Sequence, residues 1–456
     1  METKEIVLRQ RDFFNGNTTK DPRFRIEQLR KLKALLKANE PMLYTAIFDD
    51  FGKSEFETYL AEISQIYHEI DLFIKKIPAW SKPKRVLGSL ASFPSKSYIM
   101  PEPLGTTLVI GAWNYPYNLS LIPAISSLAA GNTVVLKPSE LSGRTSRAMA
   151  TLINEAFPMD YFHVVEGGIE ETSELLENRF DKIFFTGSTP VGKIVYQKAA
   201  KNLTPVTLEL GGKSPTFVLS GCDISMAARR IVWAKFMNAG QTCVAPDYVL
   251  VETSIEAPFL EAMKKEILTY HGTGDTLREN YVQMINERNF DRVAALIEPE
   301  KVYHGGQVDR ATRLISPTVM NGVTFEDRIM EDEIFGPVLP VISFSDLDDA
   351  IQRVKDGSKP LACYVYSRSK NRTGKILKEL SFGGGAVNDS LMHMANSNLP
   401  FGGVGFSGTG SYHGKAGFRE FTHYKSIMEK NMNLEPPLKY APYTPAKQKL
   451  LRRIFG

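Results

Sequence analysis

"GTTLVIGAWNYPYNLSLIPAISSLAAGNTVVLKPSE" occupies residues 105–140 and decides the fold class. Two short β-branched runs, TTLVI and TVVLK, flank a stretch from 117 to 130 that suits a helix. The runs lack polar alternation, so each reads as a strand buried on both faces. Buried strands joined through a helix form the unit of a parallel sheet, because parallel neighbours need a long crossover.

The same texture continues on both sides of the next helices. "YFHVVEG" (161–167) and "KIFFTGS" (182–188) are strand-like, with helices expected over 143–157, 170–178 and 189–201. A second series runs from "SPTFVLS" (214–220) through "YVLVE" (248–252), "PVLPVISF" (337–344) and "ACYVYS" (362–367) to "GGAVND" (384–389). The expected fold is α/β, with two parallel α/β domains joined near "LELGGK" (208–213).

Outside these series the pattern changes. Asp21 is a candidate N-cap with Pro22 at the first helical position, and a further helix is expected from Ser54 through residue 77. Residues 81–103 hold Pro83, Pro94, Pro101 and Pro103 and read as a connecting arm with a short extended piece. After about 420 a strand leads into an extended, Pro-rich tail. Its basic ending "KQKLLRRIFG" (447–456) reads as a solvated tail or helix end.

Composition narrows the function classes. The 456 residues are 43% hydrophobic and 23% charged, with 55 Lys and Arg against 51 Asp and Glu. A net charge of +4 on this length points to no nucleic-acid partner. The three cysteines, Cys222, Cys243 and Cys363, form no C-x-x-C pair, so neither a disulfide scaffold nor a structural zinc site is expected. The histidines form no metal-ligand motif. Without a signal peptide or a long apolar run, the chain is expected to be cytoplasmic, with no stable membrane anchor.

Several segments could carry chemistry. "FTGSTPVGK" (185–193) gives a strand, a tight turn and a helix N-terminus, an arrangement suited to a phosphate group. The turn involves Thr186, Gly187, Ser188, Thr189, Val191 and Gly192. It is not a G-x-G-x-x-G fingerprint, and taken alone it equally fits a plain strand-to-helix turn. Lys137 and Glu140 follow a strand end, where they could bind ribose hydroxyls or be solvated. Glu209 ends another strand and is a candidate general base or an ordinary strand residue. Asn114 could donate to an oxyanion or cap a helix. Cys363 sits in an apolar run and reads as packing, whereas Cys243 follows Gly240, Gln241 and Thr242 and reads as a candidate nucleophile.

Read together, these segments resemble the aldehyde dehydrogenase superfamily. The matches run in order from "WNYP" (113–116) through "KPSE" (137–140), "FTGSTPVGK", "LELGGK", "GQTC" (240–243) and "EDEIFGPV" (331–338) to "PFGGVGFSGTG" (400–410). The subgroup resembled is class 3, which acts on fatty and aromatic aldehydes. The resemblance implies a Rossmann-like cofactor-binding domain (1–80 and 104–209), a catalytic domain (210–419) and a small β oligomerisation arm (81–103 and 420–456). It implies Cys243 as nucleophile, Glu209 as the base that activates water, and Asn114 as oxyanion donor. Lys137 and Glu140 are assigned to the adenosine ribose, the 187–192 turn to the diphosphate, and Glu333 and Phe335 to the nicotinamide side. Glu140 favours NAD, with NADP also open. An aldehyde substrate and a homodimer are expected.

Tyr115, Leu119, Trp233, Met237 and Met394 could line an apolar tunnel or be core residues. A coenzyme A-acylating relative, a cofactor-free thiol hydrolase and a non-catalytic binding protein on the same fold are the competing readings. No hydrophobic tail follows the last motif, so a membrane-anchored form is not expected.

Overall fold

In the computed structural model, which describes residues 2–89, 92–274, 276–277 and 281–456, the two runs that open the α/β region pair as parallel neighbours. Ahead of them come the helices α1 (Thr3–Asn15), α2 (Pro22–Ala38), α3 (Glu40–Phe51), α4 (Glu55–Thr58) and α5 (Ser64–Trp80). Asp21 caps α2 by accepting from the Arg23 amide at 2.9 Å. Ser54 caps α4 by accepting from the Glu57 amide at 3.2 Å. The single helix expected from Ser54 is interrupted, because a π-helical turn at Tyr59–Ile63 separates α4 from α5. That wider turn sets Ala61, Glu62 and Ile63 inward and leaves Tyr59 and Leu60 exposed.

Next in chain order are β1 (Lys84–Val86), β2 (Ser95–Pro103), β3 (Thr106–Ile110), α6 (Pro116–Ala130), β4 (Thr133–Lys137) and α7 (Gly143–Ala156). They continue as β5 (Phe162–Val164), α8 (Ile169–Glu177), β6 (Lys182–Thr186), α9 (Thr189–Ala200) and β7 (Val206–Glu209). The second series comprises β8 (Pro215–Val218), α10 (Ile224–Phe236), β9 (Tyr248–Glu252) and α11 (Glu256–His271). Short strands follow, β10 (Val302–His304), β11 (Val308–Asp309), β12 (Leu314–Ile315) and β13 (Thr318–Met320). The last are β14 (Val338–Phe344), β15 (Ala362–Tyr366), β16 (Gly384–Val387), β17 (Gly408–Thr409) and β18 (Thr422–Lys430).

These strands build two larger sheets, ordered β17-β7-β6-β3-β4-β5 and β10-β13-β14-β9-β8-β15-β16. The α/β expectation is borne out, with one correction. The sheets are parallel inside but antiparallel at an edge, where β17 pairs β7 and β10 pairs β13. Those edge strands are two or three residues long, too short to show any hydrophobic period.

Contacts divide the chain into two compact units. Residues 1–77 and 103–422 form the first. Residues 78–102 and 423–456 form the second, with most of the three-stranded β1-β2-β18 sheet. The arm is more regular than the short extended piece expected, since β2 runs nine residues. The tail also carries a helix, Pro445–Phe455, capped by Thr444 with Pro445 at its first position. Among the described residues, no helix is long and apolar enough to cross a membrane.

The core of the six-stranded sheet is largely aliphatic, around Leu108, Ile110, Val135 and Ile183, and includes an aromatic group. Phe184 on β6 is fully buried, its ring 4.9 Å from Tyr412 and 6.0 Å from Phe421. Phe184→Ala is expected to cost about 3–5 kcal/mol through lost burial and a cavity, read as a lower denaturant midpoint.

Candidate active site

The parallel register gathers the candidate residues along one sheet edge. Ile110 lies opposite Lys137 on one side and Phe185 on the other, while Thr186 lies opposite Glu209. Lys137, Thr186 and Glu209 are the last residues of their strands, and Asn114 follows β3 by four residues. The chain leaves β3 towards β4 and β5 on one side, with β6 and β7 on the other. A reversal of this kind opens a crevice at the carboxyl ends of the strands.

The loop carrying Cys243 is held by a dense set of polar contacts. Asn238, Ala239 and Gly240 adopt left-handed backbone in succession (φ 55, 50 and 70). Gly240 is required there twice over: its φ is positive, and a Cβ would fall 2.2 Å from the Gly336 carbonyl oxygen. Gln241 secures the turn by donating to the Asn238 and Gln283 carbonyls, each at 3.1 Å, and accepting from the Ile285 amide at 3.0 Å. Thr242 Oγ1 lies 2.6 Å from the Tyr115 hydroxyl. Asn114 reaches the same loop, donating from Nδ2 to the Gln241 carbonyl at 3.0 Å. The oxyanion candidate is thus bonded to the loop two residues before the nucleophile candidate.

Cys243 is partly exposed, whereas Cys363 is buried in β15, as the sequence suggests. Burial pushes the Cys243 thiol well above its ordinary range, reinforced by the Glu333 and Glu209 carboxylates. The backbone amides of Cys243 and Val244 partly offset this.

Glu209 is 3% exposed, and neither carboxylate oxygen has a hydrogen-bond partner. Burial, then repulsion from Glu420, holds its carboxyl far above the ordinary carboxylate range. An unpartnered buried carboxyl is costly unless neutral or given a ligand. Glu333 packs against Gly211, where a Cβ would come within 1.8 Å of its carboxylate. Burial and nearby Asp247 push Glu333 up to about 8, opposed by the Gly212 amide and by Lys213 and Lys235. Phe335 has φ 47 and meets Trp113 edge-to-face at 5.5 Å.

The other end of the edge suits an anion that carries sugar hydroxyls. Ser188 caps α9 without any side-chain bond to it, so both its hydroxyl and the first amides of α9 are available. Pro190 and Val191 follow in the first turn, Val191 being exposed, and Gly192 is buried. Thr189 donates to the Phe406 carbonyl at 3.2 Å, and Gly187 donates to the Glu209 carbonyl at 3.0 Å. The buried Thr186 hydroxyl has no partner. Lys137 is buried, donates to the Pro138 carbonyl at 2.7 Å, and lies 3.8 Å from the half-exposed Glu140 carboxylate. Burial pulls the Lys137 ammonium below its ordinary range.

Of the tunnel candidates, Tyr115, Leu119 and Met237 pack together with Ala61 and Ala112. Trp233 on α10 and Met394 in the turn at 392–395 lie outside that cluster. Sequence reading missed Gln241, although it sits inside a quoted motif, because an amide beside a cysteine carries no sign of its partners. It also missed Lys235, whose buried, unpartnered amine is drawn down to about 8 by burial.

Comparison with known proteins finds similarity over nearly the whole chain. The model of the aldehyde dehydrogenase family matches residues 2–427. A rat dimeric NADP-preferring aldehyde dehydrogenase is 45% identical over 448 residues, 98% of this chain and 99% of that protein. The 4,4'-diaponeurosporen-aldehyde dehydrogenase of Staphylococcus aureus is also 45% identical, over 97% of each chain. A substrate-bound structure of Staphylococcus aureus AldH superposes with a TM-score of 0.97 at 44% identity, covering 99% of both chains.

The sulfur's surroundings predict a reactivity profile. Alkylation of Cys243 by iodoacetamide, measured against a Cys243→Ala control, should still be climbing above about pH 8.5, where an ordinary thiol is half ionised. Glu333→Gln should move that profile to lower pH by removing the carboxylate that opposes ionisation most. Superimposable profiles would mean that Glu333 does not face the sulfur.

Proposed function

We propose a division of labour within the site of a chain that belongs to the aldehyde dehydrogenase family and oxidises aldehydes with NAD or NADP. The observation that carries it is convergence: the Glu209 and Glu333 carboxylates both bear on the Cys243 sulfur, and Asn114 is bonded to the same loop. Cys243, as thiolate, forms a C–S bond to the aldehyde carbon while the carbonyl oxygen takes the negative charge. The Asn114 Nδ2–H and the Cys243 backbone N–H stabilise that oxyanion. A nicotinamide held beside Thr186, Glu333 and Phe335 would supply the two-electron acceptor for converting the Cys243 adduct to a thioester. Glu209, once ionised, is a stronger base than an ordinary carboxylate because burial raises its affinity for a proton. It takes a proton from water as the water oxygen attacks the thioester, releasing the carboxylic acid and restoring the thiol.

Lys137 and Glu140 hold the adenosine ribose. Gly187, Ser188, Thr189, Val191 and Gly192 receive the diphosphate at the α9 terminus, with Thr186 beside the nicotinamide and Glu333 and Phe335 on its ribose side. Residues 1–80 and 104–209 act as the cofactor-binding domain, 210–419 as the catalytic domain, and 81–103 with 420–456 as the bridging arm. The arm joins two copies into a homodimer, a reading supported by the dimeric rat relative. A cytoplasmic location is supported by three free cysteines. Transfer of the thioester to a thiol acceptor such as coenzyme A would need no base, so Glu209 favours hydrolysis.

Cys243→Ala should abolish turnover and keep cofactor binding. Glu209→Gln should give a burst of reduced nicotinamide followed by little turnover; steady rates equal to wild type would place the base elsewhere. The apolar Tyr115–Leu119–Met237 cluster supports medium- or long-chain aliphatic or aromatic aldehydes. Across aldehydes of rising chain length, with each cofactor, kcat/KM should therefore increase; a preference for the shortest would contradict the apolar tunnel.

A further inference from the structure

Residues 53–62 carry buried charges that the chemistry above does not use. Lys53, in the connector between α3 and α4, is fully buried, as is its partner Glu62. Its ammonium donates to Glu62 Oε1 at 2.8 Å and to the main-chain carbonyl of Asn114 at 2.9 Å. It also lies 4.2 Å from the centre of the Tyr115 ring, so its donors face a carboxylate, a carbonyl and an aromatic face. Glu62 sits on the π-helical turn, and its second oxygen accepts from the amides of Tyr117 at 2.8 Å and Asn118 at 3.2 Å. These are the second and third residues of α6, where a carboxylate also meets the helix dipole.

The same segment grips the nucleophile loop. Glu57 accepts from the Asn238 amide at 2.8 Å, and Asn238 Nδ2 donates to the Asn114 carbonyl at 2.9 Å. Two donors on one carbonyl oxygen fix the peptide that follows the Asn114 side chain. A buried ion pair adds little net stability compared with apolar residues of the same volume, so folding alone does not account for this one. π-Helical turns concentrate at functional sites, and this one faces Glu62 inward.

We infer that Lys53 and Glu62, with Glu57 and Asn238, are positioning residues that clamp the Asn114 main chain and so aim its side-chain amide at the oxyanion. The inference rests on the reading of Asn114 given under Proposed function. None of the four is assigned a step in the chemistry; they act through Asn114.

The charge-neutral double variant Lys53→Met/Glu62→Gln tests it, because neither charge is left buried alone. Its kcat for aldehyde oxidation should fall about 10- to 100-fold, the scale of a small misplacement of a catalytic group. NAD affinity by fluorescence titration and the alkylation rate of Cys243 should stay near wild type. In an Asn114→Ala background the same pair of substitutions should have almost no further effect. Asn238→Gly, which removes the second donor while suiting the left-handed backbone at that residue (φ 55), should give a smaller loss of the same kind. It stands in if the double variant does not fold.

Wild-type kcat in a folded variant would overturn the inference, as would an equal loss added to that of Asn114→Ala. A parallel loss of NAD binding and thiol reactivity would also overturn it, by showing a merely structural role. If Asn114→Ala itself keeps wild-type rates, the oxyanion reading fails instead, so the two failures are distinguishable.

Discussion

The placement of Lys137, Thr186 and Glu209 depends on strand register in the six-stranded sheet. Parallel strands present their carboxyl ends at one edge, and backbone hydrogen bonds fix which residues arrive there together. Because Thr186 is paired with Glu209, and Ile110 with Lys137 and Phe185, a one-residue slip would turn every one of these side chains to the opposite face. Continuous apolar burial guards against that slip, since β3, β4 and β6 are buried at every position. The sheet core therefore sets the precision of a site that lies outside it.

Desolvation is the second organising effect, and it acts in one direction on three groups. Burial raises the affinity for protons of Cys243, Glu209 and Glu333, so each is driven towards its neutral form before any ligand arrives. A site built this way avoids holding three negative charges close together. The two carboxylates, once ionised, oppose ionisation of the thiol. Positive charge nearby relaxes that opposition. The protein supplies some of its own from Lys213 and Lys235, which lower Glu333.

How much of this was legible in the sequence differs from residue to residue. The strands and helices from 105 to 209 could be read because uninterrupted β-branched runs and helical periods are local signals. The caps at Asp21 and Ser54 were legible for the same reason. The π-helical turn was not, since Tyr59–Ile63 keeps an ordinary helical composition and only the inward position of Glu62 reveals the extra residue. β17 was hidden because Gly408 and Thr409 take their strand geometry from pairing with β7, not from propensity. The helix at 445–455 was masked by the Pro-rich composition before it, although Thr444 and Pro445 are a helix start signal. Motif residues such as Cys243 and Glu209 could be named, but nothing in the sequence places Glu333 against Gly211 or leaves both Glu209 oxygens without partners. Those are properties of the assembled fold.

The two ends of the crevice differ in how firmly they commit to a ligand. At the chemical end, Asn114, Gln241 and Thr242 are buried and each is tied by hydrogen bonds to a distant segment, so geometry there is set before binding. At the Lys137–Glu140 end, the lysine is buried but the carboxylate has 46% of its side chain exposed. Solvent screens a charge in that position, so its repulsion of a 2′-phosphate is weak. The Lys137 ammonium, 3.8 Å away, offsets part of what remains. A buried lysine beside a half-exposed glutamate could meet either two ribose hydroxyls or a phosphate. On the proposed assignment, tolerance of both dinucleotides would follow from the exposure of one side chain.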